Sequence, residues 1–270
     1  MVVDSNTLHS AYLANRETLL ENSPDALIAL PRSYRDGDHI PEHSHGRSQL
    51  LHAMTGVAVV STASGRWMVP TEHALWIPAG TQHSVDTVGD VEMYSIYVRP
   101  DALPALPRHV HVAVLTPLMR SLIAVAENLK IEQVADERAR SIMNCLLHEI
   151  PQLEERPLGL PLPLHPRLAA QCQAYLAAPS PHVSIDDWAF RAGMSRRTFT
   201  RVFRRETGLS LSTWRQQACL MDALPRLSAG EAVTRVALDL GYDSVPAFTT
   251  MFRRVLGKAP KAYLRSVSRG

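Results

Sequence analysis

Cysteine and long apolar runs are both scarce in this sequence, and each shortage narrows what the chain can be. Cysteine occurs only as Cys145, Cys172 and Cys219. These three are odd in number, widely spaced, and match no metal or dithiol spacing, which points to a reducing compartment rather than a disulfide-built fold. No apolar stretch approaches the roughly 18 residues that a membrane-crossing helix needs. The opening residues, MVVDSNTLHSAYLANRETLLENS, lack the basic start and apolar centre of a secretory signal. The expectation is a cytoplasmic protein with no membrane partner. Net charge is nearly absent too, at +2 over 270 residues. That balance hides a split. Residues 165–270 hold 16 Lys and Arg against 7 Asp and Glu, whereas residues 1–164 hold 12 against 19. A basic half joined to an acidic half suggests that only the C-terminal part meets phosphate.

What is present is clearest between Ser184 and Gly208. Ile185, Trp188, Ala189 and Ala192 recur at helical spacing. Gly193 can then adopt the left-handed conformation that ends a helix, and Ser195 is placed to cap the next one. That next helix carries Phe199, Val202 and Phe203 on one face and Arg196, Arg197, Thr200, Arg201 and Arg204 on the other. An apolar back, an arginine-rich front and a glycine turn make a helix-turn-helix unit. The pattern then repeats. Ala189-x3-Gly193 returns as Ala237-x3-Gly241, and Phe199-x3-Phe203-Arg204-Arg205-x2-Gly208 returns as Phe248-x3-Phe252-Arg253-Arg254-x2-Gly257. Two such units can set two reading helices into successive major grooves, about 34 Å apart. The second unit offers Val245, Pro246, Thr249, Thr250 and Arg253 outward, so it has fewer donors for base readout than the first.

On these residues the segment from about His165 to Ser266 resembles the DNA-binding domain of the AraC/XylS transcription regulators. The run Val236-Ala-Leu-Asp-Leu-Gly-Tyr-Asp-Ser244, with Phe252-Arg-Arg and Gly257-x2-Pro260-x2-Tyr263, carries the family signature. The resemblance implies double-stranded DNA as a partner, with RNA polymerase as a further one.

From about Ala26 to Val98 the pattern is β. Short runs at Gln49–Met54, Val57–Ala63, Arg66–Val69, Ala74–Ile77 and Glu92–Val98 alternate with turn residues, which suggests a small barrel or sandwich. Half of the twelve histidines fall between His39 and His83. Gly37-x5-His43-x-His45-x3-Gln49-x6-Gly56 and Pro78-x-Gly80-x2-His83 resemble the two cupin motifs, with Glu72 and Thr87 standing where glycine and asparagine are usual. Residues i and i+2 of a strand share a face, so His43, His45 and, if the alternation continues, Gln49 can point inward. His83 arrives on a separate strand. This set suits a divalent transition metal such as nickel or zinc. The alternative use of such a barrel is a pocket for an organic effector. His52 has the opposite parity to Gln49 and reads as structural or exposed, and Trp67 and Trp76 read as core.

Residues 116–153 read as two helices. One stripe is Leu118, Leu122, Val125, Ala126 and Leu129, the other Ile142, Met143, Leu146, Leu147 and Ile150, with the polar Lys130–Ala135 as the turn. They can cap the barrel or form a homodimer face, and the resemblance implies the dimer. Four prolines between Arg156 and Pro166 then exclude helix and mark a linker. The expected layout is a cupin-like sensor over 1–112, a helical hairpin over 113–155, a linker over 156–166 and a double helix-turn-helix over 167–270. The fold class is α+β multidomain with an all-α C-terminal half. Pro225 lies in the helix expected to join the two reading units and should kink or end it.

The function expected is a DNA-binding transcription regulator whose cupin domain senses a metal ion or small effector. The competing class is a metal-dependent cupin enzyme, an oxygenase or isomerase, but a catalytic barrel gains nothing from a DNA-binding half. No catalytic residue is therefore assigned. The His-x-His-x3-Gln pattern joined to this DNA-binding half resembles a subgroup that includes a nickel-responsive repressor of an efflux transporter. The analogy suggests control of a neighbouring transporter gene.

Overall fold

The structure is a computed structural model that describes residues 20, 22–127, 136–156, 158–179 and 182–267. The opening stretch could form one helix, from Leu8 to Glu21, and that span lies almost wholly outside these residues. Leu129 and the turn Lys130–Ala135 lie outside them too.

The N-terminal half is two antiparallel sheets. Its strands are β1 (Leu27–Tyr34), β2 (His39–His43), β3 (Ser48–Ala53), β4 (Val57–Thr62), β5 (Gly65–Val69), β6 (His73–Ile77), β7 (His83–Val88), β8 (Val91–Val98), β9 (His111–Val114), β10 (Glu155–Arg156) and β11 (Gly159–Pro161). One sheet runs β1-β8-β3-β6-β9-β10 and the other β11-β5-β4-β7-β2. Alternation decides which side chains face which layer. Leu51, Leu75 and Val112 face into one core with Val57, Val60, Val69 and Trp67 of the other sheet. Their neighbours Leu50, Trp76 and Ala113 face the opposite way, under the helical hairpin. β3 is therefore buried on both faces, its polar Ser48, Gln49 and His52 included. The architecture is the cupin-like two-sheet fold expected, and Trp67 and Trp76 lie in its core.

Helices α1 (Pro117–Glu127) and α2 (Glu137–Glu149) cap the six-stranded sheet, and a short 3-10 turn at Ile150–Gln152 follows. The buried side chains of α1 are Met119, Ile123 and Ala126. Of the stripe expected on Leu118, Leu122, Val125 and Ala126, Ala126 is buried and Leu122 packs against the core, but Leu118 and Val125 are exposed. α1 is apolar on two overlapping faces, and packing against the sheet selects between them.

The Pro-rich linker contributes the extended strand β11 and is not a free tether. β11 adds to the edge of the five-stranded sheet, Gly159 opposite Trp67. A Cβ on Gly159 would come within 2.5 Å of the Trp67 indole nitrogen, so this approach needs glycine. Leu160 is buried among the side chains of the first reading unit.

The C-terminal half is all helical: α3 (Pro166–Ala177), α4 (Ile185–Ala192), α5 (Arg196–Thr207), α6 (Leu211–Ser228), α7 (Val233–Asp239), α8 (Val245–Leu256) and α9 (Pro260–Val267). Both turn glycines take the left-handed conformation, Gly193 at φ 69° and Gly241 at φ 80°. Thr198 N–H donates to Ser195 Oγ and Ala247 N–H to Ser244 Oγ, so each reading helix starts on a serine cap. Tyr175, Trp188, Phe199, Phe203 and Trp214 pack together behind α5, with Trp188 edge-on to Phe203 and Trp214. α6 does not end at Pro225 but continues to Ser228, where the Ala229 amide bonds to the Pro225 carbonyl. Burial of Ala223, Leu224 and Leu227 on either side of the proline holds that last turn.

Candidate metal centre and nucleic-acid interface

His43 closes β2, His83 opens β7, and the two are directly paired across the strands. Their ring centroids are 4.3 Å apart. His45 follows in the loop and sits 5.3 Å from the His83 ring. One ligand atom from each of the three histidines lies within 4.8 Å of the others. Gln49 joins them from a different strand. Alternation along one strand does not carry from His43 to Gln49, because the chain crosses from one sheet to the other at residues 44–47. Gln49 projects from β3, in the six-stranded sheet, with its Oε1 3.0 Å from His45 Nε2 and its amide donating to Ser95 Oγ at 2.8 Å.

The imidazoles are oriented by a shared device. Nδ1 of His43 meets the Pro41 carbonyl at 2.9 Å, that of His45 the Arg47 carbonyl at 2.5 Å, and that of His83 the Thr81 carbonyl at 2.9 Å. A carbonyl only accepts, so each ring carries its proton on Nδ1 in the neutral form and keeps its lone pair on Nε2. Metal-ligating histidines are oriented by this kind of partner. His45 Nε2 and Gln49 Oε1, both lone-pair atoms, then face each other at 3.0 Å. A cation between them, or a proton on His45, removes that repulsion. The donor set therefore fits a divalent transition ion.

Arg47 anchors the loop that carries His45. Its buried guanidinium donates to the carbonyls of Leu20, Ser23 and Asp25 at 2.5–2.7 Å, and burial lowers its pKa from the ordinary arginine value. The cavity beside the histidines, lined by Arg32, Tyr34, Met93 and Tyr97 among others, measures about 20 Å³. The remaining histidines of this stretch lie apart from the three. His52 is buried with Nδ1 on the His73 carbonyl, and burial lowers its pKa. His39 pairs with Asp86 on the surface.

A second cluster was not flagged from sequence. His109, His111 and Glu155 also bring one ligand atom each within 4.8 Å of the others. The His-x-His spacing was visible, but Glu155 is more than forty residues away and reaches them only because β10 pairs with β9.

In the helical half, Arg196, Arg197, Thr200, Arg201, Arg204 and Arg205 line one shallow open concavity on α5. Arg196 is partly committed to Asp186 at 3.4 Å and Arg205 to Glu206 at 3.0 Å. Arg197, Arg201 and Arg204 have no hydrogen-bond or ion-pair partner among the described residues, so their donors face solvent. Thr200 gives its hydroxyl proton to the Arg196 carbonyl. On α8, Pro246, Thr250 and Arg253 are exposed and Thr249 is half-buried. Val245, expected outward, packs against the core of the second unit. Arg254 and Gln216 were missed. They hydrogen-bond to each other and line a pocket of about 240 Å³ between α6 and α8.

A two-sheet ligand-binding half followed by two helix-turn-helix units defines a DNA-binding regulator. Residues 188–266 match the helix-turn-helix domain family and residues 27–161 match the AraC-like ligand binding domain. The chain belongs to the AraC family of transcription regulators. Its relatives include the HTH-type transcriptional regulator NimR of Escherichia coli K12, 35% identical over 224 residues, covering 83% of this chain and 82% of NimR. Regulatory protein SoxS of Escherichia coli is 32% identical over 82 residues, 30% of this chain and 77% of SoxS. Among solved structures, ToxT from Vibrio cholerae aligns over 89% of this chain and 98% of its own, with 10% identity and a TM-score of 0.37. The DNA-binding domain of AdpA in complex with a target DNA aligns over 37% of this chain and 92% of its own, with 33% identity and a TM-score of 0.35. No helix among the described residues is long and apolar enough to cross a membrane.

Proposed function

We propose that the N-terminal half senses a divalent transition metal at His43, His45 and His83, with Gln49 as a fourth donor, and that occupancy sets operator affinity. The observation that carries this reading is the set of three Nδ1–carbonyl hydrogen bonds, which hold three imidazoles in the tautomer with the lone pair on Nε2. The cavity favours an ion over an organic effector. About 20 Å³ is room for roughly one water, whereas small-molecule pockets span about 300–1,000 Å³. When bound, the ion supplies a charge of +2 that three neutral imidazoles and an amide leave uncompensated. A small anion or water in an open position is the natural complement.

The reading helices do the rest. Arg197, Arg201 and Arg204 are spaced to divide base and phosphate contacts in a major groove. A homodimer through the helical hairpin fits the family reading, with Leu118 and Val125 on the outer face of α1 as its apolar contacts. Metal control of a neighbouring efflux transporter gene, with RNA polymerase as the downstream partner, completes the proposal. The test is elemental analysis of protein purified without a histidine tag, compared with H43A/H45A. Stoichiometric metal in the wild type and loss of that ion in the variant support the reading. Unchanged metal content in the variant overturns it.

A further inference from the structure

We propose a second divalent-metal site, separate from the sensing histidines, formed by His109, His111 and Glu155 where β10 joins the edge of the six-stranded sheet. Topology makes it separate. Trp76 is the register partner of both His111 and Leu50, and Leu50 and Trp76 lie in the core under the helical hairpin. Gln49, one residue from Leu50, faces the other way, toward the cavity between the sheets. The two clusters therefore lie on opposite faces of one sheet, and a single ion cannot serve both.

Strand geometry assembles the second cluster. Glu155 is the direct partner of Ala113, and His111 lies two residues along β9 from Ala113. Side chains at that diagonal share a face and are within reach of long residues. His109 precedes His111 by two more residues, and its ring centroid is 4.9 Å from that of His111.

The donor geometry suits a small ion. His109 Nε2 is 3.1 Å from Glu155 Oε2. Two ligands bound tetrahedrally at about 2.0–2.1 Å stand roughly 3.4 Å apart, so an ion fits at that edge with little movement. His111 is buried, and its Nδ1 lies 3.1 Å from the His109 carbonyl, which leaves Nε2 as the coordinating nitrogen. Two imidazoles and one carboxylate form a set that zinc takes with a fourth position open.

The site has a structural consequence. β10 is two residues long and is the last strand of its sheet. An ion shared by β9 and β10 staples that strand, just ahead of β11 and the first reading unit.

The experiment is equilibrium dialysis of the untagged full-length chain against Zn²⁺, followed by elemental analysis, on wild type, H43A/H45A, H109A/E155Q and the quadruple variant. Residues 109 and 155 are exposed, so H109A/E155Q should fold, and circular dichroism checks that it does. The expected result is two ions per wild-type chain, one in each double variant and none in the quadruple variant. In the H43A/H45A background, Zn²⁺ should raise Tm, and adding E155Q should remove most of that rise. One ion in wild type that survives H43A/H45A but is lost in H109A/E155Q keeps this site and overturns the sensing site. Metal content unaffected by H109A/E155Q, or zinc on these residues that dialysis strips as an adventitious ion, overturns the second site.

Discussion

Lys258 Nζ meets Glu72 Oε1 at 2.5 Å, joining the turn ahead of the last helix to the turn between β5 and β6. Glu72 is one of the two positions where this chain departs from the second cupin motif. The departure has a use, since the carboxylate faces the DNA-binding half. Thr87, the other departure, donates to the Arg35 and Asp38 carbonyls and ties β7 to the turn before β2. Both partners of the ion pair are more than a third exposed, so its net worth is under about 1 kcal/mol. A double-mutant cycle with E72Q and K258M should return a coupling energy of that size that shrinks in high salt. A salt-independent coupling of several kcal/mol would contradict the surface description.

A hydrogen bond of a different kind ties β11 to α6, the helix between the two reading units. The Trp214 indole donates to the Pro161 carbonyl at 2.9 Å, and the ring is fully buried. Trp214→Phe keeps most of the packing but strands that carbonyl. The expected cost is about 1–2 kcal/mol, read as a lower urea midpoint. Trp214→Ala should cost about 3–5 kcal/mol. Equal losses in the two variants would show that the hydrogen bond, not the packing, dominates.

The exposed arginines of α5 should separate by role. Arg201→Ala is expected to cost about 1–3 kcal/mol of operator binding and to relax preference at one base pair. Arg204→Ala should weaken all sequences alike and lower the salt slope by about one. The second unit presents Pro246, Thr250 and Arg253, so scrambling its half-site should cost less than scrambling the first. Quantitative footprinting on the two scrambled operators decides this, and equal losses would place the recognition face wrongly.

Acid should destabilise the N-terminal half before its carboxylates titrate. Burial pushes His73 down to about 4, with Glu72 opposing that shift and Arg156, His52 and Lys258 nearby adding to it. Burial also lowers His52. The folded state holds these rings neutral, so above the ordinary histidine value of about 6.5 they cost nothing. As pH falls from about 6.5 toward 4, the unfolded chain gains protons that the folded one does not. Stability should drop by on the order of 2–3 kcal/mol over that window. His73→Phe should flatten the urea midpoint against pH, and an unchanged slope would remove His73 from the account.

The reading units were legible because their signals are local. A glycine turn, a serine cap and an apolar stripe all lie within one turn or two of each other, and the repeat after 48 residues confirmed the grammar. The histidine frame was legible as a list of residues but not as a path. Gln49 comes from the opposite sheet, and strand parity cannot see a crossing at residues 44–47. Arg47 gave no signal, since its role depends on carbonyls at residues 20–25. The face of α1 was ambiguous in sequence because Leu118 and Met119, and Leu122 and Ile123, compete for the same side. Glu155 could not be joined to His109 and His111 without the pairing of β10 with β9.

The most direct test of the central claim is operator affinity measured with and without Ni²⁺ or Zn²⁺, in wild type and in H83A. A ligand shifts an equilibrium only as far as it distinguishes two states, so binding alone is not enough. The expected result is a metal-dependent change of about tenfold or more in wild type, or about 1.4 kcal/mol, and a much smaller change in H83A. Operator affinity that is the same with and without metal in wild type would contradict it.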